Sequence, residues 1–264
     1  IGTNTTSAHP VISMEIKQAV LKGTPLIVAN PKKIELVSYA DIFLQQKPGT
    51  DVPLMMGMAR IILEKGLEDK EFIKNRCDNF EEFKKSLSVF DLETVEKITG
   101  VPKDLLVKAA EMYAECKPSM LFYSLGITQH THGTDNVLAT SNLALLTGNV
   151  GRSSSGVNPL RGQSNVQGAC DLGALPNVYP GYQKVTIPEI KKKFEKAWNT
   201  ELDGNLGLTH LEIFDAIIDG KINAFYIMGE NPVLSEANAH HVEEALEKVD
   251  FLVVQDIFLT ETAE

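Results

Sequence analysis

Arg161 sets a planar, permanently charged fork in the middle of an irregular stretch, Leu146–Tyr182, rich in Gly, Asn, Ser and Pro. Such a fork suits two-point recognition of a carboxylate or a phosphate. The Asn and Gln amides of the stretch add donors and acceptors, and the repeated glycines let backbone N–H groups come close to a ligand. The stretch has neither the helical nor the strand period. A structureless connection of this length inside a compact domain tends to be functional or disordered. Val150, Val157, Leu160, Val166, Leu172, Leu175 and Tyr179 make it more apolar than a solvated tail. Two readings stay open, a ligand-lining loop and a rigid connector between domains.

Other residues with chemical potential sit at the ends of short apolar runs. Thr5, Thr6 and Ser7 precede a helix that starts at Pro10, so their hydroxyls either cap that helix or help hold an anion such as a diphosphate. Glu230, Asn231, Gln255 and Asp256 follow two strand-like runs, where they could read a base or simply form turns. His130 and His132 form an H-x-H pair with no third ligand at a supporting spacing, which reads as loop-surface histidines rather than a metal site. Cys77, Cys116 and Cys170 are far apart and never in a C-x-x-C pair. They fit a reducing compartment, and Cys77 and Cys116 read as buried or neutral thiols.

The elements that must position these groups fall into two lobes. In the first, a helix carries Ile12, Ile16, Ala19 and Val20 as far as Gly23, and a buried-type strand follows at Pro25–Asn30. This is a βαβ rhythm whose first strand would precede Ile1, and it puts Gly2–Ser7 and Asn30–Lys33 on one rim. The turn Lys47–Asp51 leads into a helix at Val52–Lys65, with Thr50 or Asp51 as cap. Amphipathic helices at Leu67–Asn75, Phe80–Leu87, Leu92–Ile98 and Pro102–Cys116 read as scaffold. A strand at Ser119–Tyr123 and a helix at Asn136–Leu146 complete the lobe. After the irregular stretch come helices at Ile187–Trp198 and Leu211–Asp219. A second rhythm then follows: strand Ala224–Met228, helix Ala237–Lys248, strand Phe251–Val254. The expected fold is α/β, with two Rossmann-like open-sheet lobes of mostly parallel strands and flanking helices. Residues 1–160 form the first lobe, and residues 161–264 form the central loop plus an incomplete second one.

A formal net charge of −10 argues against a nucleic-acid partner, and Lys191–Lys193, flanked by Glu189 and Glu195, reads as a solvated helix face. No apolar run approaches the ~18 residues of a membrane span, and there is no signal-peptide pattern. Together these features point to a cytoplasmic location. The chain begins at Ile1 rather than Met and stops after Thr262-Ala263-Glu264, which suggests an excised fragment.

A family resemblance adds to this. The run NPLRGQSNVQGACDLGALPNVYPGY, preceded by LALLTGNVG, resembles the catalytic subunits of molybdopterin-dependent formate dehydrogenases. Further pieces match along the whole chain: Gly2–Asn4 with His9-Pro10, IVANPKK near Ile27–Lys33, PGTD at Pro48–Asp51, LGITQ at Leu125–Gln129, IMGENP at Ile227–Pro232 and VVQDIFLTETA at Val253–Ala263. The resemblance implies that two α/β lobes each hold the guanosine end of one of two molybdopterin guanine dinucleotides. Their loops would line a funnel to a molybdenum or tungsten ion. Arg161 would grip the formate carboxylate, and Gln163 and Asn165 would contact the pterin dithiolene end. Asn4, Ser7, Lys32, Gly49, Asp51 and Gly126 would line one dinucleotide; Gly229, Glu230, Asn231, Gln255 and Asp256 would line the other. Asn30, Lys32 and Asn231 depart from residues common in the family, and an Asn at 231 accepts from a guanine without adding charge.

A [4Fe–4S] cluster and the Cys- or selenocysteine-His pair that serves the metal would lie N-terminal to this segment, and a domain capping the pterins C-terminal to it. The parent protein would oxidise formate to CO2, or run the reverse, and pass electrons to an electron-transfer subunit or carrier; this segment alone would be inactive. The alternatives are a nitrate reductase or other oxo-transfer relative, and a non-catalytic nucleotide-binding or assembly module.

Overall fold

The structure is a computed structural model that describes residues 1–264. The chain divides into two compact units, Ile1–Ser164 and Asn165–Glu264. Arg161 and Gln163 thereby belong to the first unit, and Asn165 opens the second.

In the first unit the element order is α1 (Thr5–Ala8), α2 (Pro10–Leu21), β1 (Ile27–Ala29), β2 (Ile42–Leu44), α3 (Asp51–Glu64), α4 (Lys70–Arg76), α5 (Phe80–Ser86), α6 (Leu92–Thr99), α7 (Lys103–Glu115), β3 (Met120–Tyr123), α8 (Leu125–Thr128), α9 (Gly133–Leu146) and β4 (Gly156–Pro159). β1 pairs in parallel with β2, and β3 with β4. Residues Ile1 and Gly2 lie between the pairs. The Ile1 nitrogen donates to the Phe122 carbonyl at 2.7 Å, and the Gly2 N–H to that of Ala29 at 3.2 Å. The α/β class is as the sequence predicts, but each sheet is a pair of short strands rather than a wide open sheet.

Helix α3 is central to the core of this unit and packs on α6, α7 and α9. Leu54, Ile62, Val95, Leu106, Ile127 and Leu143 are buried there. Each such side chain contributes about 1.5–3 kcal/mol by leaving water.

Caps decide the helix ends. Asp91 accepts from the Thr94 N–H at 2.9 Å to start α6, and Gly100, at φ 76°, ends it. Asp69 accepts from the Phe72 N–H at 2.9 Å, so α4 starts at Lys70 rather than at Leu67. Asp69 also receives the Arg152 guanidinium at 2.9 Å. The Phe72 N–H foremost, and then Arg152, hold its carboxyl below the ordinary range. A carboxyl lowered by folding stabilises the protein above its unfolded pKa and loses that contribution as pH falls through the folded value. Asp69→Ala is therefore expected to cost about 1–2 kcal/mol at neutral pH. Its deficit against wild type should shrink as acid protonates Asp69, which urea melts at neutral and acid pH would read.

The stretch expected to lack regular structure, 146–182, contains three short elements. β4 is too short and Gly/Pro-bounded to show a period, and its partner β3 lies far back in the chain. α10 (Val166–Asp171) opens the second unit. Asn165 caps it by accepting from the Gly168 N–H at 3.3 Å, and a Cβ at Gly168 would lie 2.6 Å from that side chain. Thereafter come β5 (Val178–Tyr179), β6 (Gln183–Lys184), α11 (Pro188–Trp198), α12 (His210–Ile218), β7 (Ala224–Met228), α13 (Pro232–Ser235), α14 (Ala239–Lys248) and β8 (Phe251–Gln255).

β5 and β6 form an antiparallel pair beside α11, where Tyr179 packs on Phe194 and Trp198. β7 and β8 are parallel, in register from Ala224–Phe251 to Met228–Gln255. Phe214 and Ile217 of α12 pack with Val242 and Ala245 of α14, and Phe225 of β7 joins them. Asn238 caps α14 through the His241 N–H, which moves its start past Ala237. Cys116 is exposed rather than buried. Cys77 is half-buried, and burial first, then the Asp78 charge, push its thiol pKa up, so it stays a neutral thiol.

Candidate functional site

In the first unit the carboxyl ends of the parallel strands meet at one place. Asn30 follows β1, Lys47–Asp51 follows β2, and Gly126 follows β3. With Gly2–Asn4 and His130 they line a cavity of about 230 Å³. This is the position at which parallel sheets bind ligands. Asn30, buried, donates from Nδ2 to the Thr3 carbonyl at 3.3 Å and accepts the Lys32 N–H at 2.9 Å. It thus ties the two rims together. Asp51, also buried, accepts from Gln46 Nε2 at 3.1 Å in the first turn of α3, where the helix dipole favours a carboxylate.

The cavity wall explains two glycines. The Gly126 N–H donates to the Gly2 carbonyl at 3.0 Å, and a Cβ on Gly126 would lie 2.6 Å from that oxygen. Gly2 itself has φ +57°. Two backbones pass here with no room for a side chain.

Three polar atoms of the Thr3–Thr5 segment have no partner. Neither α1 nor α2 has a side-chain N-cap, so the Thr5, Thr6 and Ser7 hydroxyls do not serve as caps. Asn4 donates from Nδ2 to Ser7 Oγ at 3.1 Å, while its Oδ1 and the Thr3 and Thr5 hydroxyls are buried without partners. Leaving such groups dry costs free energy that a hydrogen-bonding ligand recovers. The set fits the polar end of a nucleotide better than an apolar ligand. Of the residues expected here, Asn4, Gly49, Asp51 and Gly126 line the cavity, while Ser7 and Lys32 are exposed outside its lining.

The sequence places Asn30 on the ligand rim without a role of its own, and offers no signal for Lys47 or His130 as site residues. His130, expected as a surface histidine, lines the cavity and donates from Nε2 to the Gly126 carbonyl at 2.9 Å. Only Asn30 had a local signal, as the first polar residue after a buried strand. No cluster of three or more His, Cys, Asp or Glu side chains is placed to hold a metal ion.

In the second unit the parallel register brings the other expected residues together. The Gly229 N–H donates to the Gln255 carbonyl at 2.8 Å, so Gly229–Asn231 and Gln255–Asp256 share one end of the strand pair. Tyr226 hydroxyl donates to Gln255 Oε1, and Ser235 Oγ to Glu230 Oε1 at 3.1 Å. Asn231 Oδ1 accepts from both the Thr262 N–H at 3.3 Å and the Thr262 hydroxyl at 2.7 Å, while its Nδ2 donates to Glu261 at 2.7 Å. Both lone pairs of its oxygen are thus used within the chain. That bond foremost after the Glu261 backbone N–H holds the Glu261 carboxyl below its ordinary range. Asn231→Ala is expected to free the Thr260–Glu264 segment, read as about tenfold faster hydrogen exchange at the Thr262 amide.

Arg161 sits just beyond β4, exposed, and its guanidinium makes no hydrogen bond or ion pair. Its backbone is held. The Leu160 N–H donates to the Tyr123 carbonyl at 2.8 Å, Ser124 Oγ to the Leu160 carbonyl at 2.8 Å, and His9 Nε2 to the Arg161 carbonyl at 2.7 Å. Gln163 is exposed nearby in sequence, and Asn165 is occupied as the α10 cap.

The first unit thus has the open strand-end cavity of an α/β protein, with polar residues along its lining. The chain belongs to the molybdopterin oxidoreductase family, whose family model matches residues 1–264. It is 50% identical over 264 residues to the F420-dependent formate dehydrogenase subunit alpha of Methanocaldococcus jannaschii, covering 100% of this chain and 39% of that protein. It is 41% identical over 263 residues to formate dehydrogenase H of Escherichia coli, covering 99% of this chain and 37% of that one. The chain therefore spans well under half the length of these relatives. Acetylene hydratase from Pelobacter acetylenicus superposes with a TM-score of 0.73 over 96% of this chain and 37% of its own, at 23% identity. That likeness shows a shared fold. No helix is long and apolar enough to cross a membrane.

Proposed function

We propose that this chain is the central part of a formate dehydrogenase catalytic subunit, a cytoplasmic enzyme that converts formate to CO2 or the reverse. In this reading the first-unit cavity holds the guanosine end of one molybdopterin guanine dinucleotide. The strand ends at Gly229–Asn231 and Gln255–Asp256 hold that of a second. When bound, the pterin-held molybdenum or tungsten supplies the acceptor for the two electrons of the formate C–H bond. A [4Fe–4S] cluster elsewhere in the protein and an electron-transfer partner complete the path outward.

The observation that carries the reading is Arg161. Its guanidinium has no hydrogen-bond or ion-pair partner, and the Leu160–Arg161 backbone is held at three points, which leaves the fork available to a small carboxylate. Formate presents two equivalent oxygens to it. CO2 is neutral and linear and cannot keep the same charge-assisted pair, so the fork favours the substrate and lets the product go. At the cavity, Thr3 and Asn4, whose Oγ1 and Oδ1 have no partner in the chain, would meet the nucleotide end. Asn30 ties the rims together, and Asp51 faces the same space. Segment 163–165 would reach the dithiolene end through Gln163 and Asn165.

The test is formate-dependent reduction of a viologen dye, and then of F420, by the intact purified protein, with pterin and metal content measured on the same sample. Identity to relatives named F420-dependent makes F420 the physiological acceptor to try first. Loaded protein that reduces neither acceptor with formate would remove this reading.

A further inference from the structure

We infer that His9 is the positioning residue that fixes the backbone at Arg161. The inference rests on the reading of Arg161 as the carboxylate fork for its bearing on formate, but the contact itself is independent of that reading. His9 Nε2 lies 2.7 Å from the Arg161 carbonyl oxygen, a contact between residues 152 apart in sequence. A carbonyl only accepts, so Nε2 carries a proton in this contact.

Three observations assign the imidazole to this contact rather than to a local role. His9 stands at the N-cap of α2, yet its side chain caps nothing. Its Nδ1 is buried without a partner, so the Arg161 carbonyl is the ring's only polar tether. Its own backbone is fixed on both sides: the His9 N–H donates to Thr5 and its carbonyl accepts from Ser13, both at 2.9 Å. The ring is therefore mounted on a rigid helix junction and reaches across to the loop.

The other two holds on this loop both act at Leu160 and both come from the end of β3. Beyond Arg161, Gly162 is exposed and a Cβ there would meet nothing within 4 Å. His9 is thus the last fixed point before the chain opens, and it acts on the residue that carries the fork. The stretch that starts at the cavity wall with Gly2–Asn4 ends at this contact, so one short segment borders the nucleotide-type cavity and sets Arg161.

The experiment uses the intact, cofactor-loaded protein. His9→Leu removes the donor, and His9→Gln keeps an N–H near the reach of Nε2. The first readout is hydrogen exchange in the peptide containing Leu160, whose amide reports opening of the same segment. The second is the split between KM and kcat for formate. Loss of this hydrogen bond is expected to speed Leu160 exchange in His9→Leu about tenfold, with His9→Gln near wild type. The KM for formate should rise about tenfold in His9→Leu, with kcat changed less, and fall back in His9→Gln.

Unchanged Leu160 exchange in His9→Leu would overturn the inference. So would a His9→Gln protein as open as His9→Leu, because the ring's bulk rather than its donor would then matter. Faster exchange rescued by Gln, with KM unmoved, would uphold the positioning of Arg161 and instead remove formate as what Arg161 binds. If His9→Leu does not fold, His9→Asn, which keeps an amide but shortens its reach, takes its place with the same expected results.

Discussion

Arg161→Ala in the intact protein is expected to lower kcat/KM for formate by about 10²–10³-fold while pterin and metal content stay at wild-type levels. The side chain is exposed and its guanidinium has no hydrogen-bond or ion-pair partner, so its removal strands no polar group. The loss should therefore appear in formate kinetics and not in thermal stability. Arg161→Lys keeps the charge but not the planar pair of donors, and a single ammonium cannot match both carboxylate oxygens at once. It should recover only about a tenth of the lost efficiency or less. Steady-state kinetics against formate concentration, with melting curves on the same preparations, would read both. Unchanged formate kinetics in Arg161→Ala would show that the fork serves another anion or none. A variant that also loses its cofactor would place Arg161 in cofactor retention instead.

Gly126→Ala is the second large effect, and it works through packing. The new methyl would lie 2.6 Å from the Gly2 carbonyl oxygen and 2.8 Å from the Gly2 Cα, and both are backbone atoms that cannot rotate away. The two strand ends must part. The Gly126 N–H to Gly2 carbonyl bond at 3.0 Å is then lost, and with it the cavity wall. A destabilisation of about 2–3 kcal/mol is expected from the overpacking and the lost bond. Nucleotide-end binding should fall with it. Denaturant melts and pterin content of the purified variant are the measurements. A variant as stable and as well loaded as wild type would mean that the wall is more pliable than its geometry indicates. Gly49→Ala makes a useful contrast, since its Cβ would meet nothing within 4 Å and only its φ of +78° resists.

Much of this was readable along the chain because it is local. The strands at Ile27–Ala29, Met120–Tyr123, Ala224–Met228 and Phe251–Gln255 are short apolar runs between turn residues, and α2, α3, α7, α11 and α12 keep the helical period. Residue type alone marked Arg161 as an anion fork and the strand-end turns as ligand rims. The ordered run around it was enough to suggest the family.

What needed three dimensions has a common cause: the partners are far apart in sequence. β4 carries no period of its own and becomes a strand only because β3 is there to accept it. Asn30 looks like a turn residue until its amide is seen to bridge Thr3 and Lys32. His130 looks like a surface histidine until α8 returns it to the Gly126 carbonyl at the cavity wall. Asn231 is a turn residue in the linear sequence, and only the fold brings Thr262 to its side-chain oxygen. His9 gives no local hint at all of its bond to Arg161. Period, caps and side-chain chemistry act over a few residues and survive in a linear reading. Hydrogen-bond partners and free volume are set by whichever backbone passes close by, and only the tertiary fold decides that.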